Sequence, residues 1–105
     1  MNIELVQLAG RDGDTAYNLS RTLSAIASCA DDTALLVFPE THLTGFVGGQ
    51  QLAQVAEPLT GPTLGAVLQA VRERGVSVVV GLAENHHGTF YNTSVLVTPE
   101  GIALQ

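Results

Sequence analysis

Lysine is absent from this sequence, and its four basic residues are Arg11, Arg21, Arg72 and Arg74. Against ten Asp and Glu they leave a formal net charge of −6. No basic patch is available to neutralise phosphates, so nucleic acid and anionic membranes are not expected partners. Charge of either sign is scarce: 13% of residues are charged, about half of the ~25% usual for soluble domains. No apolar run reaches the ~18 residues of a membrane span, and the N-terminus carries no signal-peptide pattern. One cysteine, Cys29, excludes an intrachain disulfide and suits a reducing compartment, which makes the cytoplasm the expected location. What is plentiful is apolar. Hydrophobic residues make up 46% of the chain and mean hydropathy is positive. The 105 residues suffice for one domain with a core, yet this is more apolar surface than so short a chain hides. Some of it is expected to pack against sequence outside these residues or against a partner subunit.

Within this apolar background one carboxylate stands alone. From Thr33 to Ala56 the only Asp, Glu, Lys or Arg is Glu40. It follows Leu35-Leu36-Val37-Phe38, which reads as a buried strand, and Pro39, which has no N–H for continued pairing. A carboxylate at the mouth of an apolar strand is costly to desolvate and tends to have a raised pKa, the setting in which a general acid or base is made. The bland reading is a loop Glu that caps a helix or faces water.

Strands and helices alternate along the chain without repeats or a linker. Asn2 to Leu8 reads as a strand, and Gly10 to Asp14 as a turn ending in an N-cap Asp14. The helix that follows places Ala16, Leu19, Leu23, Ile26, Ala27 and Ala30 on one face, and Asp31-Asp32 ends it. Leu35 to Phe38 is nearly continuous apolar sequence, as expected of a strand covered on both faces. A short helical turn is expected over Gln51 to Ala56. Gly61-Pro62 opens a second helix with Leu64, Val67, Leu68 and Val71 inward and Gly75 at its end. Val76 to Ala83 is another buried strand, Asn85-His86-His87-Gly88 a hairpin turn, and Phe90 to Thr98 the return. Pro99-Glu100-Gly101 turns into Ile102-Ala103-Leu104. Helices between strands indicate an α/β fold.

Phe38-Pro39-Glu40 with Leu43-x-Gly45-Phe46 resembles the first signature of the nitrilase superfamily, the carbon–nitrogen hydrolases. The opening strand Ile3 to Leu8, Asn18 in the first helix, Val79 to Glu84, Tyr91-Asn92-Thr93-Ser94 and Pro99-Glu100-Gly101 resemble later landmarks in the same order. Asp32 and Val47 depart from the Gly and Pro common there. The resemblance implies an α-β-β-α sandwich, of which residues 1–105 would be the N-terminal portion of a single domain. It also implies hydrolysis of a small amide, carbamoyl or nitrile substrate by a Cys nucleophile, a Glu and a Lys. Only the Glu maps here, as Glu40. The family's Lys falls in a Tyr-Arg-Lys-like segment close to Gln105 and its Cys further on, so these residues alone are expected to be inactive. Homo-oligomers are expected, and no cofactor. The alternative is a non-catalytic small α/β module that binds a ligand or a protein.

The remaining chemically suggestive side chains are weaker candidates. Cys29 lies late in the first helix with no base near in sequence and reads as packing. His86 and His87 lack the companions of a tetrahedral metal set, and neighbours in a turn tend to diverge, so no metal site is expected. Glu84 ends a strand and reads as solvated. Gly45, Gly48 and Gly49 form no phosphate-binding pattern. His42, two residues beyond Glu40, is read as lining the substrate pocket with Phe46 or bonding the carboxylate, against the commoner alternative of an exposed loop histidine.

Overall fold

A computed structural model of the chain describes residues 2–6, 10–39, 42–45 and 47–104. The elements follow in the order β1 (Asn2–Leu5), α1 (Thr15–Ser28), β2 (Thr33–Val37), α2 (Gly49–Val55), α3 (Pro62–Arg74), β3 (Ser77–His86), β4 (Thr89–Thr98) and β5 (Gly101–Leu104). The strands form one sheet in sequence order. β1, β2 and β3 run parallel, because the long connections through α1 and α3 return the chain to the same end of the sheet. β4 and β5 are antiparallel and joined by tight turns.

Period-two alternation sorts the strand residues onto two faces. Leu36 pairs with Val78, Val78 with Val97, and Val80 with Val95. These three pairings carry one fully buried row, on which Ile26 of α1 and Leu64, Val67 and Val71 of α3 are seated. The other row runs Ile3–Leu35, Leu5–Val37–Val79 and Leu96, and none of the described helices covers it. Ile3 is 54% and Leu5 73% exposed. β2 is thus covered on one face only, where continuous apolar sequence had pointed to two. The architecture is α/β: one helical layer and one sheet of an α-β-β-α sandwich, with the apolar inner face of the sheet open.

Sequence signals and element ends agree closely at α3. Gly61 is its N-cap, Pro62 occupies its first turn and Gly75 closes it in the left-handed region. Glu57 supplies the missing side-chain cap: its carboxylate accepts from the Thr63 N–H (3.1 Å) and from the Thr63 hydroxyl. Gly61 is needed for this approach, since a Cβ there would sit 2.7 Å from Glu57 Oε1. Asp14 caps α1 by accepting from the Tyr17 N–H.

Two elements differ from the sequence expectation. The hairpin turn is only His87-Gly88, both at positive φ, so Asn85 and His86 belong to β3 and pair with Phe90 and Thr89. A two-residue turn of this hand matches the twist of the strands. The buried residues of α1 are Asn18, Thr22 and Ile26, while Ala16, Ala27 and Ala30 are exposed. The helix is rotated towards its polar residues, for a reason found in the loop after β2. The first strand ends at Leu5, and Val6 after it donates its N–H to the Val37 carbonyl; Gln7 to Ala9 lie outside the described residues.

Candidate active site

Beyond Val37 the chain leaves β2 without leaving β3. The Phe38 N–H donates to the Val79 carbonyl (3.0 Å), and the Leu43 N–H to the Gly81 carbonyl (2.9 Å). The Ala83 N–H then donates to Thr44 Oγ1 (3.0 Å). Glu57 takes over the ladder, its N–H donating to the Ala83 carbonyl and its carbonyl accepting from Asn85. The flank of β3 past the end of β2 is therefore satisfied by loop residues, which fixes their height along the strand.

From the other side α1 holds the same loop. Asn18, fully buried, accepts from the Arg11 N–H (2.8 Å) and donates to the Arg11 carbonyl (2.8 Å) and the Leu43 carbonyl (3.2 Å). Thr22 Oγ1 donates to the Asn18 carbonyl (2.8 Å) and lies 2.9 Å from His42 Nε2. That is why the polar face of α1 points inward: it satisfies loop backbone that would otherwise be buried unpaired. The Gly13 N–H donates to the Thr44 carbonyl (2.8 Å). Gly45 is at φ 73°, and a side chain there would strike Asp12, with its Cβ 2.5 Å from the Asp12 Cα.

His42 is 5% exposed, which overturns the reading as an exposed loop histidine. Its ring stacks on Phe38 at 5.2 Å between centroids and 25° between planes. Burial lowers its pKa below the usual histidine value. The His42 N–H donates to the Pro39 carbonyl (3.2 Å). Glu40 and Thr41 fall in sequence between these two residues, and Phe46 follows Gly45; all three lie outside the described residues.

The sequence reading missed Asn18 and Thr22 as functional supports, Glu57 as a cap, and the burial of Glu84. Glu84 is 7% exposed, not solvated: it accepts from the Thr93 hydroxyl (2.7 Å) and lies 3.9 Å from His86 Nδ1. The signal for it was Thr93, whose partner across the strands, Leu82, stands two residues before Glu84. His86 and His87 do not diverge, since their rings meet edge to face at 4.5 Å. Among the described residues no group of three or more His, Cys, Asp or Glu is placed to hold a metal.

Cys29 is free, buried in the core and sits at the C-cap of α1, before β2 begins. The loop at 38–45 follows the end of that strand. At about 3.3 Å per residue the five-residue strand separates the two by roughly 16 Å. Cys29 is packing, and its thiol is at the wrong end of the sheet to serve this loop.

Comparison with known proteins gives the same architecture a family. The model of the carbon–nitrogen hydrolase family matches residues 2–105. The chain belongs to the carbon–nitrogen hydrolase family. An (R)-stereoselective amidase from a Pseudomonas species is 79% identical over 105 residues, all of this chain and 38% of that protein. An arylacetonitrilase from Trametes versicolor is 32% identical, over 81% of this chain and 34% of its own length. Among solved structures, a carbon–nitrogen hydrolase superfamily protein from Xanthomonas campestris, with an arsenic adduct in its active site, superposes with a TM-score of 0.84 at 27% identity. That match covers 98% of this chain and 38% of the other. The chain thus spans less than two fifths of the length of these relatives.

Proposed function

We propose that the protein carrying these residues hydrolyses the carbon–nitrogen bond of a small amide, taking the (R) enantiomer of a chiral substrate, with Glu40 as its general base. The observation that carries this reading is the 79% identity, along every residue of the chain, to the Pseudomonas amidase. It favours an amide over the nitrile or carbamoyl alternatives. The hydrogen bonds that hold residues 38, 39 and 42–44 support it, because a catalytic carboxylate needs well-held neighbours.

In this reading the Cys nucleophile and a Lys come from outside the 105 residues. Glu40 takes the thiol proton as sulfur adds to the carbonyl carbon, and the Lys stabilises the oxyanion. The carbon–nitrogen bond breaks, the amine leaves with the proton held by Glu40, and a thioester remains. Glu40 then deprotonates water, which opens the thioester to the acid and restores the thiol. The setting is cytoplasmic and reducing, which keeps the nucleophile a thiol, and the active species is a homo-oligomer.

The test uses the longest reading frame that contains these residues, assayed on a racemic small amide. Glu40→Gln keeps the shape and removes the base, so kcat/KM should fall by about 10²–10⁴-fold with circular dichroism unchanged. The 105 residues assayed alone, without a nucleophile, should show no turnover. Near-wild-type turnover by Glu40→Gln, or turnover by the 105 residues that Glu40→Gln abolishes, would overturn the reading.

A further inference from the structure

The hydroxyl of Thr22 has one proton, and it is engaged. Oγ1 lies 2.8 Å from the carbonyl of Asn18, one helical turn earlier, and that oxygen can only accept. Towards His42 Nε2, at 2.9 Å, the Thr22 oxygen must therefore act as acceptor, and Nε2 carries the hydrogen. The tautomer of His42 is set by this geometry. Burial lowers the ring's affinity for a second proton, which leaves a neutral imidazole with its hydrogen on Nε2.

The residue so fixed lies after position 40 and holds the chain before it. It stacks on Phe38, and its own backbone N–H holds the Pro39 carbonyl. The next residue is held in turn, since Asn18 Nδ2 donates to the Leu43 carbonyl. Residues 38, 39, 42 and 43 are thus drawn together and tied through two adjacent turns of α1. Apart from the bonds of Asn18 to the Arg11 backbone, the other described side-chain hydrogen bonds of α1 are a local cap and a back-bond.

We propose that Thr22 and His42 are positioning residues for the general base: the Nε2–H···Oγ1 hydrogen bond anchors to α1 the described residues that flank position 40. The proposal rests on the reading of Glu40 as the base. Thr22 and His42 touch no substrate in it; they act through the backbone they hold.

The experiment is carried out in the full-length enzyme. Thr22→Val keeps the shape and removes the acceptor. A displacement of the base by as little as an ångström costs up to about 10²-fold, so kcat should fall by about 10–100-fold with little change in KM. Thr22→Ser restores the hydroxyl and should restore most of kcat. The double variant Thr22→Val with His42→Phe leaves no buried N–H without a partner and retains the stack on Phe38. It should regain thermal stability while kcat stays low, because the tether is still missing. Unchanged kcat in a folded Thr22→Val enzyme, or a kcat that recovers together with stability in the double variant, overturns the proposal. Glu40→Gln separates the two layers of inference. If it retains turnover, the reading of Glu40 itself falls; if it is inactive while Thr22→Val is unimpaired, only the positioning role falls.

Discussion

His42 shows how a single side chain takes its chemistry from its surroundings. Nothing in Pro39-Glu40-Thr41-His42 distinguishes a solvated loop imidazole from a buried one, because Thr22 of α1 and the ring of Phe38 are brought against it only by folding. In the folded chain burial holds its pKa below the usual 6.5. The unfolded chain then binds more protons than the folded one once the pH falls towards that value. Stability is therefore intact above about 6.5 and declines as acid takes the pH down towards the folded-state pKa of His42. The urea midpoint, followed from about pH 8 to pH 5, should fall less steeply for His42→Gln than for the wild type. Equal slopes would show that His42 titrates alike in both states. Gly45 is the more legible neighbour. A glycine after a loop threonine at least signals an unusual backbone, although the close approach of Asp12 that demands it is visible only in three dimensions.

At the scale of elements, length and type were readable wherever local chemistry speaks. Gly61, Pro62 and Gly75 bracket α3, and Asp14 opens α1. Facing was only partly readable for α1. Of its expected apolar face, Ile26 is buried and Leu19 packs against the core, but Ala16, Leu23 and Ala27 line an open outer hollow, and Asn18 and Thr22 are inside. Periodicity assumes that the core is apolar, and here it carries a polar patch that serves the loop after β2. The hairpin was misplaced for a related reason: a left-handed His87 is uncommon, and only Gly88 announced the turn. The inward polar positions of α1 make a test. Asn18→Leu adds hydrophobicity yet strands the Arg11 N–H and the Arg11 and Leu43 carbonyls, and should cost at least about 1–3 kcal/mol. Ala27→Glu adds a charge to the outer face and should stay within about 0.5 kcal/mol of the wild type. Chemical denaturation of the two variants compares them, and the reverse order of stability would refute the assigned facing.

For the whole molecule the sheet presents the same lesson on a larger scale. Leu35-Leu36-Val37 and Val78-Val79-Val80 are apolar at every position, which pointed to cover on both faces, and the structure covers one. Leu36, Val78 and Val80 lie under the helices, while Leu35, Val37 and Val79 share the open face with Ile3, Leu5 and Leu96. A sheet face of this character is too large and too apolar to remain in water without finding a partner. The outer strands β1 and β5 each leave one side of their backbone unpaired among the described residues, and Val78 to Ala83 carries no charge that would discourage stacking. The 105 residues expressed alone should therefore associate with themselves or precipitate, with aggregation increasing at higher salt as their net negative charge is screened. Size-exclusion chromatography with light scattering provides the measurement. Species well above the 10.9 kDa of one chain are expected, and Leu5→Lys with Val79→Lys, placed on the open face, should shift them towards monomer. A sharp monomer peak from the unaltered residues, with cooperative thermal unfolding, would mean that the open face is stable in water and that these residues need no further layer.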